Sequence, residues 1–95
     1  MNQRINQEHV FKVDFFLLTE YANNISNEVY KKEILERINK YLNDQNELKL
    51  SSIIDFTNDI TVVKEVLFPE DKTSIDNVDA ITEYLQKFVH LAIFS

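Results

Sequence analysis

The chain has 95 residues, no cysteine, no glycine and one proline, Pro69, with 44% hydrophobic residues, 27% charged residues and a formal net charge of -6. That length admits one domain, the lack of cysteine excludes disulfides, thiolate metal sites and thiol nucleophiles, and the lack of glycine removes the usual phosphate loops and positive-φ turns. Sixteen Asp and Glu against ten Lys and Arg repel phosphate backbones, so direct DNA or RNA binding is not expected.

The first segment, Met1–Gln7, is polar and carries no apolar core of the kind a signal peptide needs, and residues 1–6 read as a flexible lead-in. From there the spacing predicts a helix over about residues 7–24. Phe11, Phe15, Leu18, Ala22 and Ile25 step by four and three, and Val10, Val13, Leu17 and Tyr21 form a second stripe beside them. At ~100° per residue the two stripes merge into an arc of roughly 200°, wider than a surface helix shows. Asn23 and Asn24 are placed to end this helix, as residues that tolerate left-handed φ where glycine is missing.

A second helix is expected over about 27–43, opened by Ser26 as N-cap with Glu28 in the first turn. Its apolar face holds Tyr30, Ile34, Leu35, Ile38, Tyr41 and Leu42. On the other side the pairs Glu28/Lys32, Glu33/Arg37 and Glu36/Lys40 stand four apart and mark a solvated face. The polar run Asn43–Asn46 then turns the chain.

A third helix is expected over about 48–68, with Ser52 and Asp55 resembling a capping box and Ile53, Phe56, Ile60, Val63 and Leu67 facing inward. The β-branched run Ile60–Val63 leaves extended structure as the competing reading there. Pro69 stops this helix, Ser74 caps the last one, and the last one runs over about 75–94 with Val78, Ile81, Leu85, Phe88 and Ala92 inward. Four amphipathic segments on short connections point to an all-α, single-domain protein, an antiparallel four-helix bundle. Its apolar positions are numerous for so small an interior, and homodimerisation would give them a second place to go.

The residues with the chemistry to form a site are the titratable and aromatic ones. The two histidines, His9 and His90, share no metal-ligand or acid–base spacing with any partner, and no Glu-x-x-His motif is present. No cofactor, metal or catalytic residue is therefore expected, and an enzyme is not the favoured reading. Asp14 is placed in the middle of the first helix's apolar arc, where it needs a partner. Asp55 and Asp59 share a line on the third helix with Val62 and Val66, an acidic and apolar strip suited to a basic protein. Phe16 and Phe94 fall on polar sides of their helices and offer aromatic anchors.

The function expected from these features is that of a small acidic protein-binding module: an inhibitor, an immunity-type protein or a regulatory adaptor. A homodimer with its function elsewhere and an acidic DNA mimic, using Glu70, Asp71, Asp76, Asp79 and Glu83, are the alternatives. Cysteine-free composition without a membrane span fits the cytoplasm. Size and pattern overlap with many short bacterial and phage proteins, and no motif is specific enough to carry a family name.

Overall fold

The computed structural model describes residues 9–42, 46–67 and 71–94, with Phe94 described by its backbone alone. The flexible lead-in over 1–6, the turn at 43–45, the stop at Pro69 and the side chain of Phe94 lie outside the described residues. In chain order the elements are β1 (Val10–Lys12), α1 (Phe15–Asn23), α2 (Glu28–Leu42), β2 (Glu47–Lys49), α3 (Leu50–Leu67) and α4 (Lys72–Phe94). The protein is predominantly helical, as the spacing predicts, and the run Ile60–Val63 lies within α3.

The first helix departs most from expectation. Residues 10–12 form a strand that pairs antiparallel with β2, Val10 opposite Lys49, Phe11 opposite Leu48 and Lys12 opposite Glu47. Three residues are too few to display a period of two, so Val10 and Phe11 blend by spacing into the stripes of the helix that follows. Phe11 and Leu48 point inward while their neighbours face solvent. Beyond the ribbon, Val13 N–H donates to Asn46 O at 2.6 Å and Leu50 N–H to His9 O at 2.9 Å. The second of these bonds satisfies one of the free amides at the start of α3.

Helix α1 begins only after Asp14, whose extended backbone (φ -76, ψ 96) and side chain make it the N-cap, its carboxylate accepting from Leu17 N–H at 3.0 Å. The helix ends without a left-handed residue: Asn24 stays right-handed at φ -82, ψ -5, and its N–H reaches Glu20 O and Tyr21 O. A tightened last turn takes the place of the glycine corner.

Two caps also sit elsewhere than the sequence suggests. Asn27, not Ser26, caps α2, its side chain accepting from Tyr30 N–H at 3.0 Å. Asp71, not Ser74, caps α4, accepting from Ser74 N–H at 2.9 Å and from the Ser74 hydroxyl at 2.6 Å. Ser74 is buried and receives Asn27 N–H at 3.4 Å, which ties the start of α2 to the start of α4. Replacing Asn27 by Ala removes a cap, costs ~1 kcal/mol and should lower the melting temperature by about 4–8 °C, read by circular dichroism. An unchanged melting temperature would mean that the Asn27 bond contributes nothing.

The core draws Leu18, Ala22 and Ile25 from the first segment, Tyr30, Ile34, Ile38 and Leu42 from α2, Ile53, Phe56, Ile60 and Val63 from α3, and Val78, Ile81 and Leu85 from α4. Contacts fix the directions of neighbouring helices. Asp14 N–H donates to the Tyr84 hydroxyl at 2.9 Å while Asn27, beyond the other end of α1, meets Ser74, so α1 and α4 run oppositely. Tyr41 stacks on Phe56 and Lys40 meets Asp59, so α2 and α3 do as well. This arrangement is compatible with an antiparallel four-helix bundle. At ~1.5 Å per residue α4 outruns the nine-residue α1 by about 20 Å, and part of that excess is covered by Phe11, whose ring lies 5.4 Å from Phe88.

Two buried polar groups among the described residues are imperfectly served, the Thr19 hydroxyl and the Tyr30 phenol. The Tyr30 hydroxyl is buried with no hydrogen-bond partner among the described residues. Burial, and after it the charge of Asp79, push its pKa up to about 12. A folded-state value above the unfolded one of about 10 means that stability is undiminished below pH 10 and falls as pH rises through 12, because the fold disfavours a buried phenolate at this position. Tyr30→Phe should therefore leave the melting temperature at pH 7 equal or higher and reduce the loss of stability between pH 10 and 12. A marked fall in melting temperature at pH 7 would show that the hydroxyl has found a partner.

Candidate docking face

Helices α2 and α3 meet at the Tyr41–Phe56 stack, whose rings lie 4.8 Å apart at 10°. Between them runs a groove made of two adjoining depressions. One, of about 290 Å³, is lined by Glu36, Arg37, Lys40, Asp59 and Val62. The other, of about 130 Å³, is lined by Glu33, Arg37, Val62, Val63, Val66 and Leu67. Of the line Asp55, Asp59, Val62 and Val66 read from the sequence, Asp59, Val62 and Val66 line the groove together with Val63 and Leu67, and Asp55 does not. The α2 wall is made by Glu33, Glu36, Arg37 and Lys40, which the sequence assigns only to a solvated face.

Asp59 is held by its own chain. The Tyr41 hydroxyl donates to its Oδ2 at 2.6 Å and Lys40 Nζ approaches the same oxygen at 3.1 Å. The Tyr41 hydrogen bond first, and Lys40 after it, hold the Asp59 carboxyl below its ordinary value against the opposing effect of burial. Tyr41 is in turn pushed up to about 12, by burial first and then by its bond to Asp59. A depressed carboxyl pKa contributes stability above the unfolded value and loses it as pH falls through the folded one. Asp59 therefore supports the α2–α3 contact at neutral pH and releases it in acid.

Arg37 is shared by two carboxylates, Glu33 at 3.0 Å and Glu36 at 3.8 Å. Of the expected four-apart pairs, Glu33/Arg37 forms; Lys40 crosses to Asp59 in place of pairing with Glu36, and Glu28 meets Lys31, not Lys32, at 3.6 Å. Lys40 stands in the last turn of α2, where Asp59, already hydrogen-bonded to Tyr41, offers a fixed carboxylate, while Glu36 approaches Arg37. That choice depends on tertiary packing, which spacing along one helix does not encode.

Apolar groups gather at the other end of the groove. Val62 is 54% exposed, Val66 72% and Leu67 39%, and Val29, 64% exposed, lies one turn before Glu33 on α2. None of these four belongs to the buried core. Valine is also a poorer helix former than the alanine, lysine or glutamate that a purely solvated face would carry.

The remaining candidates lie elsewhere. Asp14 does not enter an apolar arc: it is an exposed cap, because the chain before it is strand and the stripe that would have enclosed it never forms. Phe16 is 79% exposed on α1, its ring edge-on to Phe15 at 6.0 Å, and is not among the residues lining the groove. His9 precedes β1, not the first helix, and packs against Phe11 at 4.6 Å, while His90 is exposed on α4. Asp71 caps a helix and Asp79 binds Lys64 at 2.6 Å, which leaves Asp76 and Glu83 as the exposed carboxylates of the proposed mimic strip among the described residues.

Among the described residues no group of three His, Asp or Glu is placed to hold a metal ion, and no helix is long and apolar enough to cross a membrane. Comparison with protein-family models, with curated proteins and with solved structures finds no match to this chain.

Proposed function

We propose that this chain is a non-enzymatic docking module, an antiparallel four-helix bundle that binds a protein partner through the α2–α3 groove. The observation that carries the reading is the exposed apolar trio Val62, Val66 and Leu67 bordering a groove walled by charged side chains. Apolar anchors beside a polar rim are the composition of a protein interface. Both walls are regular helices seated on buried residues, so the face is held ready with little ordering left to do on binding. An acidic inhibitor, immunity-type protein or adaptor acting in the cytoplasm fits such a face.

The test is photo-crosslinking in cells that make the protein, with the reactive side chain at position 62 or 66 and, as control, at the exposed Glu83 on α4. A discrete adduct from 62 and 66 that is lacking from 83 supports the reading. Equal adducts from all three, or none from 62 and 66, would refute it.

A second reading has its own observation. At the far end of α4, Leu91 and Ile93 are 60% and 45% exposed, beyond Phe88, whose ring meets Phe11 of β1, where Val10 is 48% exposed. A homodimer through this end would cover them. Sedimentation over a range of concentrations decides it: a stable monomer at micromolar protein removes the dimer.

A further inference from the structure

We infer that two copies of this chain pair β1 with β1, antiparallel and across a two-fold axis, so that the two-stranded ribbon becomes a four-stranded sheet. The inference rests on the homodimer reading above and names the edge that joins the copies.

The ladder fixes which way the backbone points. Leu50 N–H bonds to His9 O and Val13 N–H to Asn46 O, on either side of Phe11 opposite Leu48. Bonded and non-bonded pairs alternate along an antiparallel ladder, so His9, Phe11 and Val13 turn their backbone groups toward β2. Val10 and Lys12 turn theirs away. No described residue bonds to those two amides and two carbonyls, and both residues are exposed. β2 runs straight into α3 and also touches α2, which leaves β1 as the open edge of the ribbon among the described residues.

An edge of this kind takes an extended strand, and the charge of this end selects a second copy as its source. The chain carries a net -6 and repels itself as a whole. Here it does not. From Val10 to Asp14, along β2 and from Tyr84 to the end of α4, Lys12, Lys49 and Lys87 stand against Asp14 and Glu47, an excess of one positive charge, while eleven carboxylates face six cations over the rest of the described chain. Copies joined at this end keep their acidic bodies apart. A two-fold axis through β1 also brings the exposed Val10, Leu91 and Ile93 of each copy to the same end of the pair.

Register follows from the same residues. Two outward edges can bond Val10 to Val10, Lys12 to Lys12, or Val10 to Lys12. Lys12 opposite Lys12 sets like charges together, and Val10 opposite Val10 uses one residue of each strand. Val10 opposite Lys12 uses both and makes four bonds, with Phe11 meeting Phe11 on the axis.

Sedimentation of the full-length protein over a range of concentrations reads the mass, and residue-resolved amide exchange reads the edge. Where the mass is that of two chains, the amides of Val10 and Lys12 should exchange as slowly as that of Phe11, which faces Leu48 in either state. Lys12→Pro deletes an outward amide and leaves the ladder to β2 intact, since the residue before it is already extended. The axis counts that amide twice, so two of the four bonds go and the dissociation constant should rise at least about tenfold. Val10→Lys sets like charges opposite one another and should act in the same direction without touching the backbone. Both variants should melt like the wild type at dilutions where it is monomeric.

A single-chain mass throughout the micromolar range removes the homodimer and this inference with it. A two-chain mass that both variants leave unchanged, or in which the Val10 and Lys12 amides exchange freely, keeps a homodimer and overturns the β1 edge. If Lys12→Pro fails to fold, Val10→Lys alone decides.

Discussion

Replacing Val62 and Val66 together by Glu is expected to weaken partner binding by about 100-fold or more while moving the folding free energy by less than about 1 kcal/mol. The binding loss follows from burying two carboxylates where the partner's apolar side chains would sit, and every ~1.4 kcal/mol is a factor of ten. The small folding effect follows from exposure: both valines face solvent, and Glu is the better helix former. Titration calorimetry against the crosslinked partner and urea unfolding of the variant provide the two numbers. Unchanged affinity would remove these residues from the interface, and a collapse of stability would mean that they support the core.

Phe56→Ala should do the opposite, costing ~3–5 kcal/mol of a total that for a domain of this size is about 5–15. Phe56 is wholly buried, and its ring is the surface on which Tyr41 lies. Removing it opens a cavity and unseats the phenol that holds Asp59, so the groove loses its α2 wall along with the core. The melting temperature should fall by roughly 12–40 °C, at about 4–8 °C per kcal/mol. Phe56→Leu, which keeps most of the apolar volume, should cost much less. A loss under about 1 kcal/mol for the alanine variant would show that α2 and α3 do not depend on this contact. Together the two variants separate a face that binds from a core that folds.

The periodic segments were readable because each long helix repeats its pattern: Tyr30, Ile34, Ile38 and Leu42 on α2, and Ile53, Phe56, Ile60 and Val63 on α3, are all buried at three- and four-residue steps. The ribbon was not. Val10–Lys12 and Glu47–Lys49 are three residues each, and a strand that short is defined by its partner, which lies more than thirty residues away. Asp14 shows the consequence: placed in a helix it looked like a buried charge, whereas it is a cap of a kind that its residue type alone would have allowed. Part of the groove was legible, since Asp59, Val62 and Val66 share one line on one helix, while Asp55 on the same line stays outside it. The other half was hidden because Arg37 and Lys40 look, along their own helix, like ordinary surface pairs; only the antiparallel packing of α2 on α3 brings Lys40 to Asp59.

Amide hydrogen exchange of the protein with and without its crosslink-identified partner tests the docking face most directly. Protection should rise over residues 36–41 and 55–67 and stay unchanged over α1 and the second half of α4. Protection gained at Phe16, Leu91 and Ile93, with the α2–α3 face unaltered, would contradict it.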